Sequence, residues 1–195
     1  DTLDLLPELG PARVEGEIWV EPEALPIPGF IDYFIPDQGA VADKLPDVPS
    51  LGHLDGVPLV GDHKTSSNVA RYAMDDEDLD NDVQCIIYCE WAFRETGAKY
   101  VDARWTYSGT RKREKKCTQR RFTREYVAEQ FEKLVVPQVK QILVTRFKER
   151  EETDCNLAAC GNYGGCKVGR RGLCHKPEAG SEEAMDAFAS RFFDD

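Results

Sequence analysis

Three short stretches carry the side chains that could do chemistry. The first is GFIDYF, where Asp32 interrupts an apolar run between Ile31 and Tyr33. A buried carboxylate without a partner is costly, so Asp32 needs a cation, a hydrogen-bond network or a strand face open to a cleft. The second is VGDHKTS, where Asp62 and Lys64 stand at i and i+2. On a strand that spacing sends both side chains to one face. With Asp32 on the neighbouring strand, two carboxylates and an ammonium would converge. Two carboxylates repel unless something positive lies between them. Mg²⁺ or Mn²⁺ suits such all-oxygen donors and keeps several waters. Water on such an ion is easier to deprotonate, and a lysine beside it can orient it or stabilise developing charge. The third stretch is QCIIY, where Gln84 and Tyr88 at i and i+4 share one helix face and can hydrogen-bond a phosphate or a carboxylate. Each stretch alone is equally an ordinary strand exit or a helix-surface pair.

The elements that must position these residues are legible from periodicity. Residues 13–21 alternate Val14, Ile18 and Val20 with charges, which predicts a strand. Pro22, Pro26 and Pro28 break the chain before a second strand at 29–35. A loop rich in Gly, Pro and Asp spans 36–56, and a third strand covers 57–64. Short connections favour an antiparallel meander of these three. Residues 76–96 predict a helix with an acidic start and Gly97 as its C-cap. Strands follow at 99–107 and 115–122, joined by a basic loop. Thr123 then caps a long helix to about 152, with Pro137 as its kink. The element order indicates an α/β domain.

Net charge is −11 over 195 residues, which excludes a generic nucleic-acid coat. The charge is uneven. Acids crowd 75–82, whereas 104–124 is basic, with Arg111, Lys112, Arg113, Lys115 and Lys116 around the loop. A local basic strip can bind phosphates inside an acidic chain, or be a solvated hairpin. Trp105, Tyr107 and Phe122 nearby could stack on bases, although their alternation is equally explained by core burial. No run of about 18 apolar residues predicts a transmembrane helix. The chain starts at Asp1, which suggests a fragment or processed chain, and no secretory signal is visible. A reducing compartment is then the default, and clustered cysteines there suggest a metal. Of seven cysteines, Cys85, Cys89 and Cys117 are scattered; Cys155, Cys160, Cys166 and Cys174 cluster, separated by glycines able to let the chain wrap one ion or cluster.

Taken in chain order, GFIDYF, VGDHKTS and QCIIY resemble the RecB-like branch of the PD-(D/E)XK nuclease superfamily, whose pattern is Gly-x-Ile-Asp, Asp-x-Lys and Gln-x-x-x-Tyr. The resemblance implies a restriction-endonuclease-like core: a central mixed sheet flanked by helices, followed by a cysteine-rich metal-binding segment. It implies one domain over 1–175, with a core at 13–152, the cysteines at 153–175 and a tail at 176–195. It makes Asp32 and Asp62 metal ligands, Lys64 the catalytic lysine, and Gln84 and Tyr88 the helix motif. Family members often add an upstream Glu or His, for which Glu17 is the candidate; Glu15, His53 and His63 are alternatives. The implied activity is Mg²⁺- or Mn²⁺-dependent hydrolysis of DNA phosphodiesters, by in-line attack of a metal-bound water that leaves 5′-phosphate ends. The cysteines are similar to those of the iron–sulfur exonucleases, AddB-type and CRISPR-associated, which implies a 4Fe–4S cluster, with Zn²⁺ as alternative. The expectation is a DNA exonuclease of recombination, repair or phage DNA processing. It would act on single-stranded or end-containing DNA in the cytoplasm of a bacterial or phage-infected cell, with a helicase or recombination protein as candidate partner and no membrane. An endonuclease of the same superfamily, a non-catalytic DNA-binding module and a zinc-binding interaction module are the alternatives.

Overall fold

The computed structural model describes residues 13–22, 25–42, 52–145 and 147–148. The chain divides into two compact units, Asp1–Gln141 and Ile142–Asp195; the sheet and the helices packed on it belong to the first. The cysteine cluster and the tail lie outside the described residues.

Five strands form one sheet in chain order: β1 (Arg13–Val20), β2 (Ile27–Ile35), β3 (Leu59–Ser66), β4 (Tyr100–Gly109) and β5 (Lys115–Thr123). The first three are antiparallel neighbours, as the short connections predicted. β4 then runs parallel to β3, and β5 returns antiparallel. A parallel pair requires a crossover, and the helix α2 (Val83–Thr96) supplies it. The result is an α/β fold on a mixed sheet.

The α2 face of the sheet forms much of the core. Phe34 meets Trp91 edge-on at 4.8 Å, and Tyr88 lies 6.2 Å from Trp105. Trp105, Tyr107 and Phe122 are all buried. Burying each such ring contributes about 1.5–3 kcal/mol, so core packing accounts for their alternation and base stacking is not their role here. Cys85 and Cys89 are likewise buried on α2.

Two helices differ from the sequence expectation. Residues 76–96 are not one helix. Asp75 caps a 3₁₀ turn, Asp76–Asp80, and Asp82 starts a second helix by accepting from the Cys85 N–H at 2.7 Å. Asp is a strong N-cap, and two such acids in close succession start two elements. Gly97 ends α2 in the left-handed region, φ 68°, as predicted. Thr123 caps α3 (Arg124–Gln130), whose helix widens into a π turn, Phe131–Val135, before α4 (Val136–Thr145). Pro137 lacks an N–H and its ring crowds the carbonyl four residues back, and the widened turn lies immediately before it. A short helix, α1 (Val69–Tyr72), follows β3 and has no counterpart in the sequence reading.

Candidate active site

The β2–β3 ladder pairs Ile35 with Leu59, Phe34 with Val60 and Tyr33 with Gly61, then stops. One further step would set Asp32 opposite Asp62. Instead the strands part there, and the Asp32 carboxylate accepts the His63 N–H at 2.6 Å. The β1–β2 ladder also skips its step at Glu15 and Asp32, and Glu15 has φ 51°. Backbone in that region is costly outside glycine and is a feature of functional sites. Gly61 has its own reason. A Cβ there would stand 1.8 Å from the Tyr33 ring, so glycine leaves room for that ring across the strand. Burial pushes the Tyr33 hydroxyl up to about 12, so it stays protonated.

Asp62 is 5 % exposed at the edge of this gap. Lys64 Nζ lies 2.7 Å from its Oδ2, which confirms that the i, i+2 spacing puts both on one face. Gln84 reaches down from the first turn of α2. Its Oε1 accepts from Lys64 Nζ at 2.7 Å, and its Nε2 donates to Asp62 Oδ1 at 3.0 Å and to the Tyr88 hydroxyl oxygen at 2.7 Å. The Tyr88 hydroxyl in turn donates to the Phe30 carbonyl. Each partner fixes the next: the hydroxyl proton is committed to Phe30, so the Tyr88 oxygen accepts, and the amide can face only one way.

Burial holds the Asp62 carboxyl above its ordinary value. The Lys64 hydrogen bond and charge and the Gln84 hydrogen bond pull it back, while the Asp32 charge adds to the rise. Burial also raises the Tyr88 hydroxyl, with Gln84 opposing. Two carboxylates thus share a gap with one ammonium set against the second of them.

The structure therefore brings together Asp32, Asp62, Lys64, Gln84 and Tyr88 from three elements. Glu17 is elsewhere: it is exposed, in register with Phe30 on β1. Glu15, not Glu17, occupies the position across from Asp32. His63 is exposed with its ring 5.4 Å from Tyr33, and His53 pairs with Asp55 at 3.6 Å. Among the described residues, no group of three or more His, Cys, Asp or Glu gathers at one point.

The basic strip divides in two. Lys116 pairs with Asp75 at 2.6 Å, and Arg120 forks onto Asp80 at 2.9 and 3.0 Å. Arg121 forks onto buried Asp102 at 2.7 and 2.9 Å, where Gln38 also donates, and Arg124 donates to the Phe93 and Ala98 carbonyls. Asp75 and Asp80 of the acidic 75–82 stretch are thus counter-charges of β5, and Asp76 accepts the Gln119 N–H of the same strand at 2.8 Å, a use that the opposite charges of the two stretches could have suggested. Arg111, Lys112, Arg113 and Lys115 are exposed.

No family model matches the chain, and no curated protein does. Among solved structures, a protein described as "putative exonuclease" from Eubacterium rectale is similar at 13 % identity and a TM-score of 0.42, over 77 % of this chain and 53 % of that one. The protein SSO0001 is similar at 12 % identity and a TM-score of 0.36, over 70 % of this chain and 55 % of that one. The chain spans about half the length of these structures.

Proposed function

We propose that the chain is a divalent-metal-dependent deoxyribonuclease acting on DNA ends. The observation that carries this reading is the gap between β2 and β3, where Asp32 and Asp62 meet Lys64 under an amide held by Tyr88. Asp32 and Asp62 would hold the metal. Hard oxygen donors fit Mg²⁺ or Mn²⁺, and Mg²⁺ commonly takes one or two carboxylates, leaving its other positions to water and phosphate. Both Asp62 oxygens already accept a hydrogen bond, yet each has a lone pair to spare. When bound, the metal supplies an acidified water and a shield for phosphate charge. The chain does the rest. Gln84 and Asp62 hold Lys64 Nζ by two of its three hydrogens, and the third is available to orient the attacking water or meet charge growing on phosphate. Because the ammonium is held before substrate arrives, little reorganisation remains at the moment of reaction.

The test is cleavage of linear single- and double-stranded DNA with Mg²⁺ or Mn²⁺, with a closed circle alongside. Wild type should degrade linear DNA and spare the circle. Asp62→Ala and Lys64→Ala should each lose about 100-fold or more, the scale for one preorganised charge-stabilising group. No metal-dependent cleavage, or full activity in both variants, rejects the reading. Cys155, Cys160, Cys166 and Cys174 carry a separate proposal, a 4Fe–4S cluster with Zn²⁺ as alternative. Metal analysis and visible absorption of anaerobically purified protein decide between them, since zinc is colourless and redox-inert.

A further inference from the structure

Resting on the nuclease reading above, we infer that a cleft just beyond the catalytic strand takes a single, unpaired nucleic-acid strand, with Tyr72 stacking on a base and Arg71, Arg111 and Lys112 holding phosphates. β3 leaves the active site through Ser66, and Asn68 then caps α1 by accepting the Arg71 N–H at 3.0 Å. The β4–β5 loop folds back on this point: the Thr110 N–H donates to the Ser66 carbonyl at 2.8 Å. Between α1 and the loop lies a cleft of about 340 Å³, lined by Asn68, Arg71, Tyr72, Arg111 and Lys112 among others.

Three properties give the cleft its ligand. The first is charge. In a chain of net charge −11, Lys116, Arg120, Arg121 and Arg124 of the basic strip are committed to acids or carbonyls. Among the described residues Arg71 and Arg111, like Arg113 and Lys115, have no such partner, while Lys112 is loosely ion-paired at 3.7 Å with Glu114, the one acid lining the cleft. The second is the aromatic. Tyr72 is 60 % exposed, and the Arg71 guanidinium lies 5.5 Å from its ring centre. An exposed ring beside a planar cation is a stacking platform, available to a base only when that base is unpaired. The third is position. Asn68 is four residues beyond Lys64, and β3 ends at Ser66, so at most about 13 Å of chain separates them, a span of no more than about four nucleotides of stacked strand at ~3.4 Å each. Buried Val69 anchors α1 to the domain, so the platform is held at a fixed distance from the cut.

The full chain carrying Asp62→Ala is titrated, in EDTA, against labelled oligothymidylate, a blunt duplex of equal length and polyglutamate. The single strand should bind best. Tyr72→Ala should weaken it about ten-fold or more, with Tyr72→Phe close to the parent. Arg71→Ala and Arg111→Ala should each lower the salt dependence, by about 0.7 in log–log slope for each phosphate no longer held. Equal binding of duplex or of polyglutamate, or an unchanged affinity in Tyr72→Ala and Arg71→Ala, overturns the inference. Wild-type cleavage that depends on Asp62, together with Tyr72→Ala binding like its parent, refutes the cleft and leaves the nuclease standing. Tyr72-dependent strand binding without any cleavage does the reverse.

Discussion

At Asp62 burial and function pull in opposite directions. The carboxyl is raised above its ordinary value by desolvation, against Lys64 and Gln84. A raised acid binds its proton more tightly in the folded chain. Between the unfolded value near ~3.9 and the folded one, stability therefore falls as pH rises. Above both values the ionised carboxylate is a standing cost. Asp62→Asn should abolish cleavage and melt higher than wild type at pH 7, by a few degrees, the size of a ~1 kcal/mol gain in a domain of this length. The gain should shrink as pH falls through the folded value and vanish well below ~3.9, where Asp62 is protonated in both states. Thermal melts across pH check this; a lower melting temperature, or a difference independent of pH, contradicts it.

The element that matters most to the site is α2, because Gln84 lies in its first turn and Tyr88 in its second. That turn is held by one side-chain cap, Asp82 onto the Cys85 N–H at 2.7 Å. Asp82→Ala should cost about 1 kcal/mol of stability. It should also lower kcat, since a frayed first turn releases the amide that holds Lys64. Asp82→Ser, which keeps the cap, should restore both. Chemical denaturation and steady-state rates on linear DNA measure the pair of effects. A stability loss with unchanged kcat would show that Gln84 is held by Asp62 and Tyr88 alone. On the opposite sheet face, buried Asp102 is matched by the Arg121 fork and Gln38. This satisfies a charge that would otherwise destabilise β4.

For the molecule as a whole, the two acids facing one gap predict a response to metal even without substrate. Mg²⁺ or Mn²⁺ should raise the melting temperature of wild type, by about 2.7 kcal/mol of stability at a concentration 100 times the Kd. Ca²⁺ should do so as well, because the donors are hard oxygens. Asp32→Ala should remove the response, read by calorimetry with no DNA present; a rise that survives in Asp32→Ala places the metal elsewhere. Among the described residues no helix is long and apolar enough to cross a membrane.

The sequence by itself determined the strands, the caps at Gly97 and Thr123, and the pairing of Asp62 with Lys64. Those depend on local chemistry: a period of two on a strand, a glycine free to take positive φ, a hydroxyl that accepts an N–H. It also held the candidate set of Asp32, Asp62, Lys64, Gln84 and Tyr88. What only the tertiary structure decided is how that set is held. No spacing in one dimension shows that β2 and β3 part at Asp32, or that Gly61 makes room for the Tyr33 ring. Nor does it show that Gln84 bridges an ammonium and a carboxylate. The same holds for charge. Asp75, Asp76 and Asp80 lie about forty residues from Lys116, Gln119 and Arg120, and only folding puts them in hydrogen-bond contact. Which cations remain for a ligand is what is left after such pairs form, so the charge count offered Arg111 and Lys116 alike, whereas the fold takes Lys116 out of the set and brings in Arg71.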